Sequence, residues 1–331
     1  MKTIVIIGGN TLGHVIPGIS IVNGLRNKYP QNRIIYVTNS KQMNLKIIKE
    51  SNADIKEFID IKSLSRLNEI KEFFKLRKYF INLYKKYKVD LVIGFGSFIS
   101  SVGIITAQML NIDTIIHEQN KVLGLGNKLC YFKTKKLLLN YPLNKKHRKS
   151  VVVGNPILVS NQSKTKKEKL VITSGSGGAK FFNDIMVDFL NNYEDNLEIT
   201  FITGKKYYDE INSKINNKKI QIVDFIDDLG SYLQDVKYII TRAGATTLSE
   251  IFELGIKPII IPSPNVSNNH QVLNALEYKD YSIILYEKNL TPDVLLTSLK
   301  KLKDLNPFKK DCLVSPVYQF IEEVNDVKRL Y

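Results

Sequence analysis

At 331 residues the chain is long enough for two domains, each with its own core. Its two cysteines, Cys130 and Cys312, are too few for a disulfide framework or a cysteine zinc site, which favours a reducing cytosol. Of the formal net charge of +16, residues 1–150 hold 26 Lys and Arg against 9 Asp and Glu, while the rest is nearly balanced. The first half therefore expects an anionic partner: a membrane surface, nucleic acid or an acidic substrate.

The opening apolar run in MKTIVIIGGN is too short for a signal peptide and reads as a first β-strand. No later run reaches transmembrane length. Strands are expected at 3–7, 33–37, 91–94, 114–116, 136–139 and 151–153, with helical spacing between them. Gly154-Asn155-Pro156 and a polar stretch over 160–169 then read as a linker. The alternation restarts with strands at 170–173, 199–203, 221–223, 238–241, 258–261 and 282–285, and a helix over 317–330 closes the chain. Two successive βα alternations predict an α/β protein of two Rossmann-like, doubly wound parallel-sheet domains. The expected boundaries are 1–154, a linker 155–169, 170–310, and a C-terminal helix in 311–331 packing across the domains. Ligands of such sheets bind beyond the carboxyl ends of the strands, so motifs that follow strands should line a cleft between the domains.

Strand one runs into Gly8-Gly9-Asn10-Thr11-Leu12-Gly13-His14. Gly8 and Gly13 have P-loop spacing, but His14-Val15 stands where Lys-Ser/Thr is required, so a nucleoside triphosphatase is excluded. Gly94-Phe95-Gly96-Ser97-Phe98 follows another strand, and Ser174-Gly175-Ser176-Gly177-Gly178-Ala179 opens a helix. In TRAGATTLSEIFELGIKPIIIP, Arg242-Ala243-Gly244 feeds a helix that Thr246-Thr247 can cap, with Glu250 one turn in and Gly255 as its stop. A glycine turn at a helix N-terminus joins free N–H groups to the positive end of the dipole, which suits a diphosphate. An ordinary strand-to-helix turn has the same pattern, and both readings stand at this point. His117-Glu118-Gln119-Asn120 places four polar residues at the end of a buried strand, which is costly unless they bind something. Asp227-Asp228 precedes a helix and reads as an N-cap rather than a metal site. With no Asp-x-Asp motif or His/Asp cluster, no metal or other cofactor is expected.

Taken in order, these segments resemble those of the MurG-type glycosyltransferases. Those enzymes move N-acetylglucosamine from UDP-GlcNAc to a lipid-linked muramoyl-pentapeptide in peptidoglycan synthesis. Residues 8–14 resemble the family's GGGTGGH loop, with Asn10 and Leu12 replacing glycines. Residues 94–100 resemble GxGGYxS with Ser97 and Phe98 substituted, and residues 117–128 match HEQNxxxGxxNK. Residues 174–179 resemble GGSQGA, 225–228 resemble FIDD, and Asn269-His270-Gln271 with Asn274-Ala275 resembles the donor-site end. Leu158 stands where an arginine usually follows the GNP turn, so donor affinity is expected to be lower or to come from another cation. The resemblance implies a GT-B fold and an inverting transferase. His14 would be the base and Glu118 a second catalytic candidate. Thr11, Leu12, Gly13, Asn120, Ser176, Ile226, Ala245, Thr246, Thr247, Leu248, Ser249, Glu250 and Gln271 would bind the donor, with Ser176 on the diphosphate, Ile226 at uracil, Glu250 on the ribose and Gln271 on the sugar. Gly96, Ser97, Phe98 and His117 would face the acceptor.

Residues 66–88 carry eight basic and two acidic side chains, with Ile70, Phe73, Phe74, Arg77, Phe80, Ile81 and Tyr84 at helical spacing. Residues 121–149 add nine basic side chains and no acid. Aromatics beside lysines suit the headgroup region, although a helix buried on its apolar face explains part of the pattern. A peripheral protein on the cytoplasmic face of the cell membrane is expected, with UDP-GlcNAc, a polyprenyl-diphosphate-linked muramoyl-pentapeptide and an anionic membrane surface as partners, and no nucleic acid. The alternatives are a relative acting on diacylglycerol or another polyprenyl-linked sugar, and a catalytically silent nucleotide-sugar binder.

Overall fold

The computed structural model describes residues 1–61, 66–145, 147–157, 165–175, 177–308, 315–328 and 330, the side chains of Arg66 and Leu67 apart. The chain divides into two compact units, Met1–Leu158 with Cys312–Tyr331, and Val159–Asp311.

In unit 1 the strands are β1 (Thr3–Ile7), β2 (Arg33–Asn39), β3 (Ile55–Ile59), β4 (Leu91–Gly94), β5 (Asp113–Glu118), β6 (Lys136–Leu139) and β7 (Ser150–Val152). Between them run α1 (Leu12–Lys28), α2 (Lys46–Lys49), α3 (Arg66–Tyr87), α4 (Ser97–Met109) and α5 (Leu125–Tyr131). All pairings are parallel, in the order β3-β2-β1-β4-β5-β6-β7, so the winding reverses between β1 and β4. Strands such as Thr3–Ile7 and Leu91–Gly94 are buried along their whole length, because helices cover both faces of the sheet.

Unit 2 repeats the plan with β8 (Lys167–Thr173), β9 (Glu198–Ile202), β10 (Ile220–Val223), β11 (Val236–Thr241), β12 (Lys257–Ile260) and β13 (Ile283–Ile284). Its helices are α6 (Lys180–Asn191), α7 (Tyr208–Lys214), α8 (Leu229–Tyr232), α9 (Ala245–Glu253), α10 (His270–Leu276) and α11 (Pro292–Asp304). The order β10-β9-β8-β11-β12-β13 is again all parallel and reverses between β8 and β11.

Three expectations change. Strand β3 carries no sequence alternation: its IKEFI run is half-buried at the sheet edge, where Lys56 and Glu57 reach solvent. The expected linker is shorter, since Lys167–Lys169 already belong to β8, and residues 158–164 lie outside those described. The final helix, α12 (Pro316–Lys328), was expected to pack across the domains but is grouped with unit 1. Its Val317, Phe320, Ile321 and Val324 enter the core formed by α1, β1 and β4. Phe320 stacks on Phe95 with ring centres 5.5 Å apart, and Lys136 pairs with Glu323 and Asp326. Each such apolar side chain contributes about 2 kcal/mol by burial, more than the half-exposed ion pairs, so α12 is held mainly by its apolar stripe.

Candidate functional site

The segments leaving β1 and β4 meet at His14. Thr11 caps the start of α1 by position, and its Oγ1 lies 3.1 Å from His14 Nδ1. On the other side Gly96, at φ +88°, approaches so closely that a Cβ there would stand 3.4 Å from His14 Nε2. Burial pushes the imidazole down to about 4, so it is neutral near pH 7. If Nδ1–H donates to Thr11, Nε2 keeps its lone pair and can accept a proton; the other tautomer can only donate there. Leu12 is the first residue of α1 and half-buried, and Gly13 follows it. Ser97 opens α4 at φ +75°, where a residue with a Cβ is strained by about 1–2 kcal/mol, and its Oγ is buried without a hydrogen-bond partner. Phe98 is half-buried against the core below.

The polar cluster after β5 was expected to bind something external; the structure shows it satisfied largely from within. Glu118 accepts from Asn120 N (3.1 Å) and Asn120 Nδ2 (3.1 Å) at one oxygen. Its other oxygen accepts from Gly124 N (2.9 Å) and Asn127 Nδ2 (2.9 Å). Four N–H groups on two oxygens fill the acceptor sites of a 3 % exposed carboxylate, so Glu118 clasps the 120–127 loop. His117 is fully buried and cannot touch an acceptor. Its Nε2 lies 3.1 Å from Gly154 O, which only accepts, so that nitrogen carries the proton. Burial lowers the ring to about 4, and it packs against both Phe95 and Phe320, which stack on each other. His117 thus supports the exit of β7 and the last helix. Of the four residues only Asn120 reaches partly into solvent.

In unit 2 the segment after β11 turns into α9. Gly244, not Thr246 or Thr247, is the N-cap; the two threonines lie in the first turn of the helix with Ala245. Gly255 N–H donates to Phe252 O and Ile256 N–H to Ile251 O, the paired bonds that close a helix end. Leu248 is wholly in the core, so its side chain cannot meet a donor, whereas Thr247 and Ser249 are half-buried. Glu250 is 5 % exposed. Its Oε1 and Asp228 Oδ1 converge above Gly230, 3.6 and 3.7 Å from where a Cβ would stand. Burial, and then the Asp228 charge, push Glu250 up to about 8. Asp228 also accepts from Ser231 N (3.0 Å) and Ser231 Oγ (2.7 Å), the N-capping role its position suggested. Ile226 lies half-buried in the same turn.

Gln271 Oε1 accepts from Ser263 N (2.9 Å) and Ala243 N (3.3 Å), which joins α10 to the exits of β11 and β12 and turns the amide's NH₂ outward as donor. The segment after β8 lies against the exit of β9. A Cβ on Gly204 would stand 2.7 Å from Gly178 N, and one on Gly178 would stand 2.5 Å from Thr203 O, so only glycines permit this approach. Ser176 and Leu158 lie outside the described residues.

Sequence reasoning missed two features. Arg242 pairs with Glu287 at 2.5 Å, donates to Ile261 O and lies over the Phe182 ring. A buried arginine announces the need for an acid but not which one, since the pair spans 45 residues of sequence. A groove of about 430 Å³, walled by Phe181, Pro262, Pro264, Asn269, Val272 and Tyr286, adjoins the Gln271 helix; the Pro262 and Asn269 segments were legible in the sequence, but not that they enclose a groove with Phe181 and Tyr286.

Two doubly wound parallel sheets, each with its polar and glycine segments at the strands' carboxyl ends, define the GT-B fold class. Residues 4–139 match the glycosyltransferase family 28 N-terminal domain and residues 169–316 the family 28 C-terminal domain. The chain is 34 % identical to the UDP-N-acetylglucosamine–N-acetylmuramyl-(pentapeptide) pyrophosphoryl-undecaprenol N-acetylglucosamine transferase of Clostridioides difficile, over 91 % of this chain and 81 % of the relative. It is 30 % identical to the transferase of the same name from Oenococcus oeni, over 90 % and 88 % of the two chains. The crystal structure of Acinetobacter baumannii MurG matches it with a TM-score of 0.73 at 25 % identity, over the whole of both chains. The chain belongs to the MurG family of N-acetylglucosamine transferases.

Proposed function

We propose that the protein transfers N-acetylglucosamine from UDP-GlcNAc to the muramoyl-pentapeptide carried on a polyprenyl diphosphate, with inversion at the anomeric carbon. The observation that carries this reading is the likeness to transferases of that activity along nearly the whole chain. The acceptor hydroxyl attacks the anomeric carbon as the bond to UDP breaks, and the hydroxyl proton passes to His14 Nε2. This requires the tautomer in which His14 Nδ1–H donates to Thr11 Oγ1, a contact of 3.1 Å that allows it. On the donor, Glu250 takes the ribose hydroxyls, the Gln271 NH₂ a sugar oxygen, and the free N–H groups at the start of α9 the diphosphate. Labelled UDP-GlcNAc and a short-chain lipid-linked muramoyl-pentapeptide test this directly. Product with the wild type but not with Glu250→Ala supports it; product with diacylglycerol and none with the muramoyl lipid would overturn it.

We further infer peripheral binding to an anionic membrane through unit 1. The support is a split in the expected face of α3. Leu76, Phe80, Leu83 and Tyr84 turn inward, while Ile70 and Phe74 stay exposed beside Lys71 and Lys78. On α5, Leu125 and Leu129 share a face with Phe132, which is 81 % exposed, and Lys128 and Lys133 flank them. Among the described residues no helix is long and apolar enough to cross a membrane. Such a surface suits the cytoplasmic face, where anionic lipids face basic proteins.

A further inference from the structure

A nucleoside-diphosphate sugar brings two negative charges to unit 2, and the segment before α8 already holds Asp224, Asp227 and Asp228, with Glu250 alongside. The cations near these strand ends are mostly committed. Arg242 is buried on Glu287, and Lys180, at the start of α6, pairs with Asp184 and Glu210. Lys205, at the exit of β9, is different. It is exposed, makes no ion pair among the described residues, and holds its ammonium 5.0 Å from the centre of the Phe225 ring, next to Ile226. The backbone beneath it is fixed. Gly204 is packed on Gly178, and Asn183 Nδ2 donates to Thr203 O at 2.9 Å. Beside it, among the described residues, nothing lies within 4 Å of where a Cβ would stand on Gly175 or Gly177.

We propose that Lys205 is the cation that neutralises the donor's diphosphate, poised by the Phe225 ring between the turn at Ile226 and the glycines Gly177 and Gly178. The proposal rests on the donor reading above and adds a residue to it. An ammonium on an aromatic face is directed without being neutralised, so its charge stays available to a phosphate oxygen. It also fits a ligand whose base and phosphates run from the exit of β10 toward that of β8.

Calorimetric titration of the full chain with UDP and with uridine, near pH 7.5, tests it. Lys205→Met keeps the apolar stem on Phe225 and removes only the charge. It should weaken UDP roughly tenfold, leave uridine unchanged, and keep the melting temperature of the wild type. Lys205→Arg should stay within about threefold of the wild type for both ligands. Unchanged UDP affinity in Lys205→Met would overturn the proposal. Equal losses for UDP and uridine would also overturn it, because Lys205 would then act through Phe225 on the base. A wild type that binds neither ligand would instead refute the donor reading, and the two failures are thus distinct.

Discussion

The two units share one winding, with the central reversal falling between β1 and β4 in one and between β8 and β11 in the other. They equip the same position differently. Unit 1 places a neutral, half-buried histidine between two loop backbones and presents exposed aliphatic and aromatic side chains among lysines. Unit 2 places two converging carboxylates and a bare glycine segment there, on a half of the chain whose charge is nearly balanced. Topology supplies the same anion-friendly strand ends twice; on the function proposed above, the loop side chains would assign proton transfer and lipid to one half and the nucleotide to the other.

The sharpest way to break this division is His14→Ala. If proton transfer belongs to unit 1, turnover should fall by roughly two orders of magnitude while UDP-GlcNAc affinity stays within about twofold. Equal losses in turnover and donor affinity would make His14 a binding residue. The reciprocal test is Glu250→Ala, which removes the carboxylate proposed to accept from the ribose hydroxyls. Donor affinity should weaken about 10- to 100-fold, with the KM for the lipid acceptor little changed. Loss of acceptor affinity instead would erase the division from the other side.

A smaller effect concerns the membrane. Leu129→Ser with Phe132→Ser removes two largely exposed side chains, Phe132 meeting Tyr131 edge-on, so folding should be little affected. Sedimentation with vesicles containing anionic lipid should drop roughly tenfold. Transfer to a water-soluble acceptor should persist. Unchanged vesicle binding would move the membrane contact elsewhere, for example to Ile70 and Phe74 on α3.

Most strands were legible because both sheets are parallel and buried on both faces, which writes each strand as a β-branched run. Strand β3 was not, since an edge strand with Lys56 and Glu57 facing solvent lacks that run. The motifs were legible as segments but not as partners. Nothing in HEQN says that Glu118 bonds Asn120, Gly124 and Asn127. Similarly, the spacing in residues 66–88 mixes two faces: Phe80 and Tyr84 point into the core, while Ile70 and Phe74 do not. Periodicity locates apolar residues on a helix, whereas burial depends on neighbours far along the chain, and that information appears only once the sheet is folded.

The smallest predicted effect reads the protonation of Glu250. Its pKa in the free protein is raised to about 8, from an ordinary value of 4.5. If ribose hydroxyls donate to the ionised carboxylate, binding lowers that pKa and expels a proton. For a drop of somewhat under one unit, UDP-GlcNAc affinity should then rise with pH, on the order of threefold between pH 6.5 and 8, and level off above about pH 9. His14 and His117, both near 4, stay neutral across this window and cannot produce the slope. Folding has the opposite sign. A carboxyl held protonated in the native state stabilises it relative to the unfolded chain at low pH, and this is lost as pH rises from about 4.5 through 8. Glu250→Gln should therefore flatten both curves in that range, affinity measured by calorimetry and stability by urea unfolding. Affinity that falls with rising pH would mean that a protonated Glu250 donates to the ribose, which reverses its hydrogen-bonding role while leaving its place in unit 2 intact.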